Sequence, residues 1–262
     1  EKVSLEQNAD IIISDNRFGF RSSKTLNIYI THQLKIKGPL VLMKIVNQIN
    51  RLFIRNFDHC WIPDFENSLL SGELSQSSLK KTFVGPLSRF KKTMVETKKY
   101  KYKFLAIISG PEPQRSLLEE EIQNCFLKTN QHCAIINGLT NTKEISSGKI
   151  SYYPHLETTA FKKLLTKSEL VICRSGYSSI MDLYILQKKV LFIPTPGQTE
   201  QEFLAKHHLK NHSICYQKQG RIELEKASFN FIQSKSETKK KLLIQLSINS
   251  FGVVCCLFLF LL

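Results

Sequence analysis

The stretch Leu170-Val171-Ile172-Cys173-Arg174-Ser175-Gly176-Tyr177-Ser178-Ser179-Ile180-Met181-Asp182 decides the fold class. Its first four residues form an apolar run suited to a strand buried on both faces, and the run stops abruptly at a Ser-Gly turn. Beyond the turn, apolar residues recur at helical spacing from Ser178 to Leu186, so the segment reads as a strand, a tight turn and the opening of a helix. The same pattern extends in both directions. Strand runs are expected at Ala9–Ser14, Leu26–Thr31, Phe104–Ser109, Cys133–Ile136 and Val190–Ile193, besides Leu170–Cys173. Helical spacing appears at Leu40–Phe57, Leu117–Leu127, Thr158–Leu165 and Glu200–Leu209. Alternating βα units predict an α/β fold built on parallel sheets.

The 262-residue chain is 42% hydrophobic and 23% charged, a globular composition long enough for one large or two ordinary domains. Its formal charge of +15 favours anionic partners, with a net +9 up to residue 103 and +6 beyond it. The basic residues are scattered, without an aromatic-interleaved RNA motif, a paired-cysteine finger or a recognition-helix cluster, so nucleic acid is not the expected partner. Neither GxxxxGK[ST] nor GxGxxG occurs, which removes the common nucleotide-loop classes. Seven cysteines without any CxxC pair sit mostly in apolar runs and read as reduced thiols of a cytoplasmic protein. His207, His208, His212 and Cys215 offer metal-type donors, but they lack a second ligand pair and read as imidazoles at a helix end, so neither a metal nor a cofactor is expected.

Alternation breaks at Phe83-Val84-Gly85-Pro86-Leu87-Ser88-Arg89 and the basic stretch that follows. The expected organisation is therefore a first α/β piece over 1–82, a linker over 83–103, a second α/β domain over 104–220 and an extension over 221–262. The chain opens on Glu1 and is read as a fragment or a processed chain. Residues from Phe251 onward carry no charge, and this apolar tail is read either as a membrane anchor or as a non-native end.

Three strand-to-helix junctions concentrate small, hydroxyl and amide residues at the edge where open α/β sheets hold ligands. The first is Ser109-Gly110-Pro111-Glu112-Pro113-Gln114-Arg115, where backbone N–H groups at Gly110 and the fork of Arg115 suit an anion. In the second, Arg174, Ser175, Gly176 and Tyr177 lead to Ser178 and Ser179, whose hydroxyls stand at a positive helix end. Asp182, three residues beyond Ser179, suits a ribose diol, although Ser-x-x-Asp is equally the pattern of a helix cap. The third runs from Pro194 through Gln198, Thr199, Glu200 and Gln201, which supply amide, hydroxyl and carboxylate groups for a polyhydroxylated ligand. In the first piece, Ser14-Asp15-Asn16-Arg17 and Thr31-His32-Gln33 follow two strands, and His32 is the candidate general base.

Taken together, Leu170 to Gly176, Ser179-x-x-Asp182, Phe192-Ile193-Pro194 and Glu200-Gln201-x-x-x-Ala205 resemble the donor half of the family 28 glycosyltransferases. Val84 to Arg89 is similar to that family's interdomain segment. The resemblance covers about Phe83 to Leu209. It implies a GT-B-like fold of two Rossmann-like domains, the first incomplete, with the main catalytic base lying outside this chain. It also implies transfer of a hexose or N-acetylhexosamine from a UDP-sugar to a glycan or lipid-linked acceptor, and peripheral contact with a membrane. By the same resemblance Asp182 holds the ribose, the 198–201 loop holds the sugar, and Arg89 is the linker arginine. Arg115 or Arg174, with N–H groups at Gly110 and Gly176, stabilise the departing diphosphate. The sequence departs from the family at Asp182, where a glutamate is usual, at Pro111, which lacks an N–H, and at Glu200 within the glutamine pair. Two other readings stay open: a non-catalytic sugar-nucleotide-binding subunit that needs a partner chain, and an epimerase or hydrolase of the same fold.

Overall fold

The computed structural model describes residues 6–38, 40–91, 99–139, 144–210 and 213–228. The C-terminal tail, His212, Cys255 and Cys256 lie outside them.

The first part is a parallel sheet in the order β1 (Ile11–Asp15), β2 (Leu26–Ile30), β3 (His59–Ile62) and β4 (Thr82–Phe83). Helix α1 (Leu40–Ile54) connects β2 to β3. Tyr29, Leu34, Ile54, Phe57, Cys60 and Ile62 form its core. The apolar ridge of α1 behaves differently from a core-facing stripe. Leu42, Ile45, Ile49, Leu52 and Phe53 are exposed, while the inward positions are Asn47, Asn50 and Ile54. Asn47 exchanges hydrogen bonds with the backbone of Ile36 and donates to the Met43 carbonyl, and Asn50 donates to the Leu34 carbonyl. The helix is thus seated by amides that satisfy loop backbone groups.

The second part holds β5 (Tyr102–Ile107), α2 (Gln114–Lys128), β6 (Cys133–Ile136), β7 (Ile145–Ser147), β8 (Ile150–Tyr153), α3 (Thr158–Thr166), β9 (Ser168–Cys173), α4 (Tyr177–Ile185), β10 (Lys189–Phe192), α5 (Thr199–His207) and β11 (Ile214–Tyr216). Its strands run in the order β11-β10-β9-β5-β6-β8-β7, and all neighbours are parallel except β7 and β8. The basic stretch read as linker therefore ends earlier than expected, because Tyr102 and Lys103 already pair in β5. Phe83 likewise belongs to β4. Helices cover both faces. Phe104, Ala106, Ile135 and Ile172 pack with Leu118, Ile122 and Phe126 of α2 on one side. Leu105, Ala134 and Val171 pack with residues of α3, α4 and α5 on the other. Two-sided burial explains why these strands are nearly continuous apolar runs. The same burial holds Cys133 and Cys173 as inert thiols, pushed up to about 12. Chain order reverses between β9 and β5, so their carboxyl ends flank the crevice where such sheets place ligands.

The two parts share a seam. Asp64, fully buried after β3, accepts hydrogen bonds from the N–H groups of Phe65, Leu70 and Ser71 and from the Ser71 hydroxyl. The loop shaped in this way inserts Leu70 and Leu74 into the core beneath α4 and α5. His207 and His208 hydrogen-bond the carbonyls of Leu69 and Leu70 at 3.0 and 2.9 Å. Gly72 lies against His207, where an added Cβ would stand 2.8 Å from the ring, and its φ of +56° disfavours any other residue. These imidazoles therefore join the two parts, and no group of three or more metal-type ligands occurs among the described residues.

Candidate functional site at the strand ends

Loops after β5, β9 and β10 converge at the carboxyl edge of the larger sheet, and Arg174 holds them together. Only 2% exposed, its guanidinium donates to the carbonyls of Ser109, Gln114, Ile193 and Pro194. Burial lowers its pKa to about 10. The role expected for Arg174 beside a departing diphosphate is thus replaced by a bracing role, since its donors are already engaged with backbone. Ser175 is similarly engaged: its buried hydroxyl donates to the Gln201 carbonyl at 2.7 Å. The Gln201 side chain accepts from the Thr195 N–H and donates to Gln198 Oε1, tying the β10 loop to the first turn of α5.

The three helix openings differ electrostatically. At α2, Glu112 accepts from the N–H and hydroxyl of Ser116 and pairs with Arg115 at 3.1 Å. A carboxylate therefore already occupies that positive end, and these contacts hold it below its ordinary range. Arg115 also donates to the Asn137 carbonyl at 2.6 Å, so its fork points into the protein. At α5, Glu200 and Glu202 occupy the first turn. At α4, by contrast, the first turn contains no acid and Gly176 makes no side-chain cap. Ser178 is exposed and Ser179 half-buried there. The opening of α4 is consequently the strand-end position whose free N–H groups best accommodate an anion. Gly110 adjoins it with φ +112°, and a Cβ there would stand 3.7 Å from the Thr195 hydroxyl. That hydroxyl is buried without a partner among the described residues. Thr195 carries no signal in the sequence, because neither its type nor its spacing distinguishes it from a structural turn residue.

Asp182 has a specific structural role. Its carboxylate accepts from the Ser88 hydroxyl at 2.7 Å, from the Arg89 N–H at 3.3 Å and from Arg89 Nε at 2.8 Å. Arg89 also lies over the Phe161 ring at 4.9 Å. The carboxylate expected to hold ribose thus anchors the connection between the two sheets through the linker arginine, and both of its oxygens are engaged there.

Facing these loops, β2 is followed by Thr31 and His32. His32 Nε2 lies 2.7 Å from Glu200 Oε1 on α5, and its ring stacks on Tyr177 of α4 at 3.9 Å and 5°. Tyr177 is itself fixed by donating to the Pro63 carbonyl at 3.0 Å. Thr199 donates to the Lys37 carbonyl at 2.8 Å. The Ser14-Asp15-Asn16-Arg17 turn is engaged locally: Asn16 Oδ1 accepts from Tyr29 and Thr31, and Ser14 donates to the Arg17 carbonyl. A cavity of about 710 Å³ lies elsewhere, between α4, β10 and the seam, lined by Phe65, Leu183 and Lys188 among others. None of the residues of the three strand-end loops lines it.

Two parallel sheets facing each other across their carboxyl edges define a partial GT-B architecture. Solved structures agree with that fold. The chain superposes on Acinetobacter baumannii MurG with a TM-score of 0.51 at 11% identity, covering 95% of this chain and 71% of that one. It superposes on the glycotransferase of kitacinnamycin with a TM-score of 0.59 at 10% identity, covering 89% and 69%. Residues 112–241 match the model of the glycosyltransferase family 28 C-terminal domain, which places this region of the chain in that family. A curated relative from Flavobacterium psychrophilum is 38% identical over 63 residues, which are 24% of this chain and 16% of the relative. That relative is a UDP-N-acetylglucosamine--N-acetylmuramyl-(pentapeptide) pyrophosphoryl-undecaprenol N-acetylglucosamine transferase. Among the described residues no helix is long and apolar enough to cross a membrane.

Proposed function

We propose that this chain carries the UDP-sugar site of a glycosyltransferase that moves a hexose or N-acetylhexosamine onto an acceptor hydroxyl. The observation supporting this most strongly is the uncapped, acid-free opening of α4 beside Gly110, in a cleft where Glu112, ahead of α2, already accepts from that helix's first turn and Glu200 and Glu202 stand in the first turn of α5. A diphosphate placed at that opening meets N–H groups near Gly176 and the hydroxyls of Ser178 and Ser179, and those dipoles stabilise the charge that grows as UDP departs. Gln198, which precedes α5, offers an amide that suits the sugar. The Flavobacterium relative, named for a UDP-sugar donor and a lipid-linked acceptor, supports the same donor and acceptor classes for this chain. A cytoplasmic location at a membrane surface follows from that acceptor class, and the charge of +15 favours it.

Calorimetric titration with UDP tests the reading. Ser178→Asp places a carboxylate in the first turn of α4, where it suits the helix dipole but opposes a diphosphate. Wild type is expected to bind, and the variant to lose binding while melting at the same temperature or slightly higher.

A further inference from the structure

His32 and Glu200 stand 168 residues apart in sequence and on opposite sides of the cleft, yet their side chains meet at 2.7 Å. The contact is well supported on both sides. Glu200 belongs to the first turn of α5, and Thr199 beside it is fastened to the Lys37 carbonyl. Lys37 in turn lies 4.7 Å from the centre of the Phe203 ring. The imidazole plane is set by the Tyr177 ring, almost parallel at 5°, and Tyr177 is buried and anchored to Pro63. Ring plane, ring rotation and one ring nitrogen are therefore fixed by residues from both sheets. With Nε2–H donating to the carboxylate, the lone pair belongs to Nδ1, which makes no hydrogen bond with the described residues. Side-chain exposures of 19% for His32 and 31% for Glu200 place the pair at the cleft wall rather than in a core.

We propose that Glu200 is a positioning residue for His32, and that the pair is an acid–base unit assembled across the two sheets. The proposal rests on the transferase reading and departs from the family resemblance twice: it moves the base, expected outside this chain, to His32, and it changes the role of Glu200, which the sequence assigned to the sugar. In the reaction, Nδ1 takes the proton of the acceptor hydroxyl as that oxygen bonds to the anomeric carbon. The bond from the anomeric carbon to the diphosphate breaks, and its electron pair leaves with UDP. Glu200 holds the ring in the tautomer that exposes Nδ1 and balances the imidazolium that forms, which then releases its proton to water. Because the two partners come from different sheets, the base is assembled only where the two sheets meet.

The test combines nitrogen-15 NMR of the His32 ring in the free protein with kinetics of UDP release from UDP-N-acetylglucosamine. The expected wild-type ring carries its proton on Nε2, and Glu200→Ala mixes the two tautomers. Glu200→Ala should lower kcat on the order of a hundredfold with donor KM within about twofold, and Glu200→Gln, which keeps an acceptor, should recover part of the loss. A wild-type ring protonated on Nδ1 overturns the proposal. So does a Glu200→Ala variant that raises donor KM at unchanged kcat, which is the behaviour of a sugar ligand. Absence of UDP binding by the wild type would instead strike at the transferase reading, while the tautomer, read without ligand, still decides the pairing.

Discussion

The larger sheet is covered by helices on both faces, whereas the smaller one seats α1 through asparagines and leaves an apolar ridge in solvent. Apolar periodicity carries different information in the two. In the larger sheet, apolar residues mark the core, because each strand has helices above and below it. In α1, Asn47 and Asn50 dock the helix alongside a single core residue, Ile54, because the neighbouring loop offers backbone groups at Leu34 and Ile36 for the amides to satisfy.

Three substitutions separate these regimes, beginning with the largest expected effect. Ile135→Ala, in the centre of the larger sheet and fully buried, should lower stability by about 3 kcal/mol in urea unfolding, since the cavity cannot collapse between two helical layers. A loss under 1 kcal/mol would mean that the two-sided core is loosely packed.

The seam comes next. Burial, followed by the neighbouring His207, lowers the His208 pKa to about 4 from an ordinary value of 6.5. Between those values the unfolded chain binds a proton that the folded chain does not, so stability is present above about pH 6.5 and falls as the pH drops towards 4. The full loss approaches about 3 kcal/mol. Urea midpoints at pH 7.5 and 4.5 should therefore differ more in the wild type than in His208→Gln. Equal shifts in the two proteins would assign the acid sensitivity to other groups.

The smallest effect belongs to the ridge of α1. Ile49→Ser is expected to change stability by less than about 0.5 kcal/mol, because the side chain is 47% exposed. A cost above 1.5 kcal/mol would show that the ridge is covered in solution and would erase the contrast between the sheets.

How much was legible in the sequence follows from the same contrast. β6 matches its expected bounds, and β9 and β10 lie within two residues of theirs, because continuous apolar runs signal two-sided burial. β3, with His59 at its head, and β8, read as Ile-Ser-Tyr-Tyr, carry no such run. β4, β7 and β11 have only two or three residues each, too few for a period to register. In the site, residue types located the loops correctly but could not reveal which groups were already engaged. Arg174 is committed to carbonyls 19 to 65 residues away, and Asp182 to a linker 93 to 94 residues earlier. Such partners are invisible to local patterns. For the same reason the meeting of His32 with Glu200 had no signal in either flanking sequence.

The central claim is that the opening of α4 receives the diphosphate of a UDP-sugar. Titrating UDP into the wild type and into Ser178→Asp tests it most directly. Saturable heat is expected for the wild type and none for the variant, with both proteins folded. No heat with the wild type, or equal heats for the two, would contradict it.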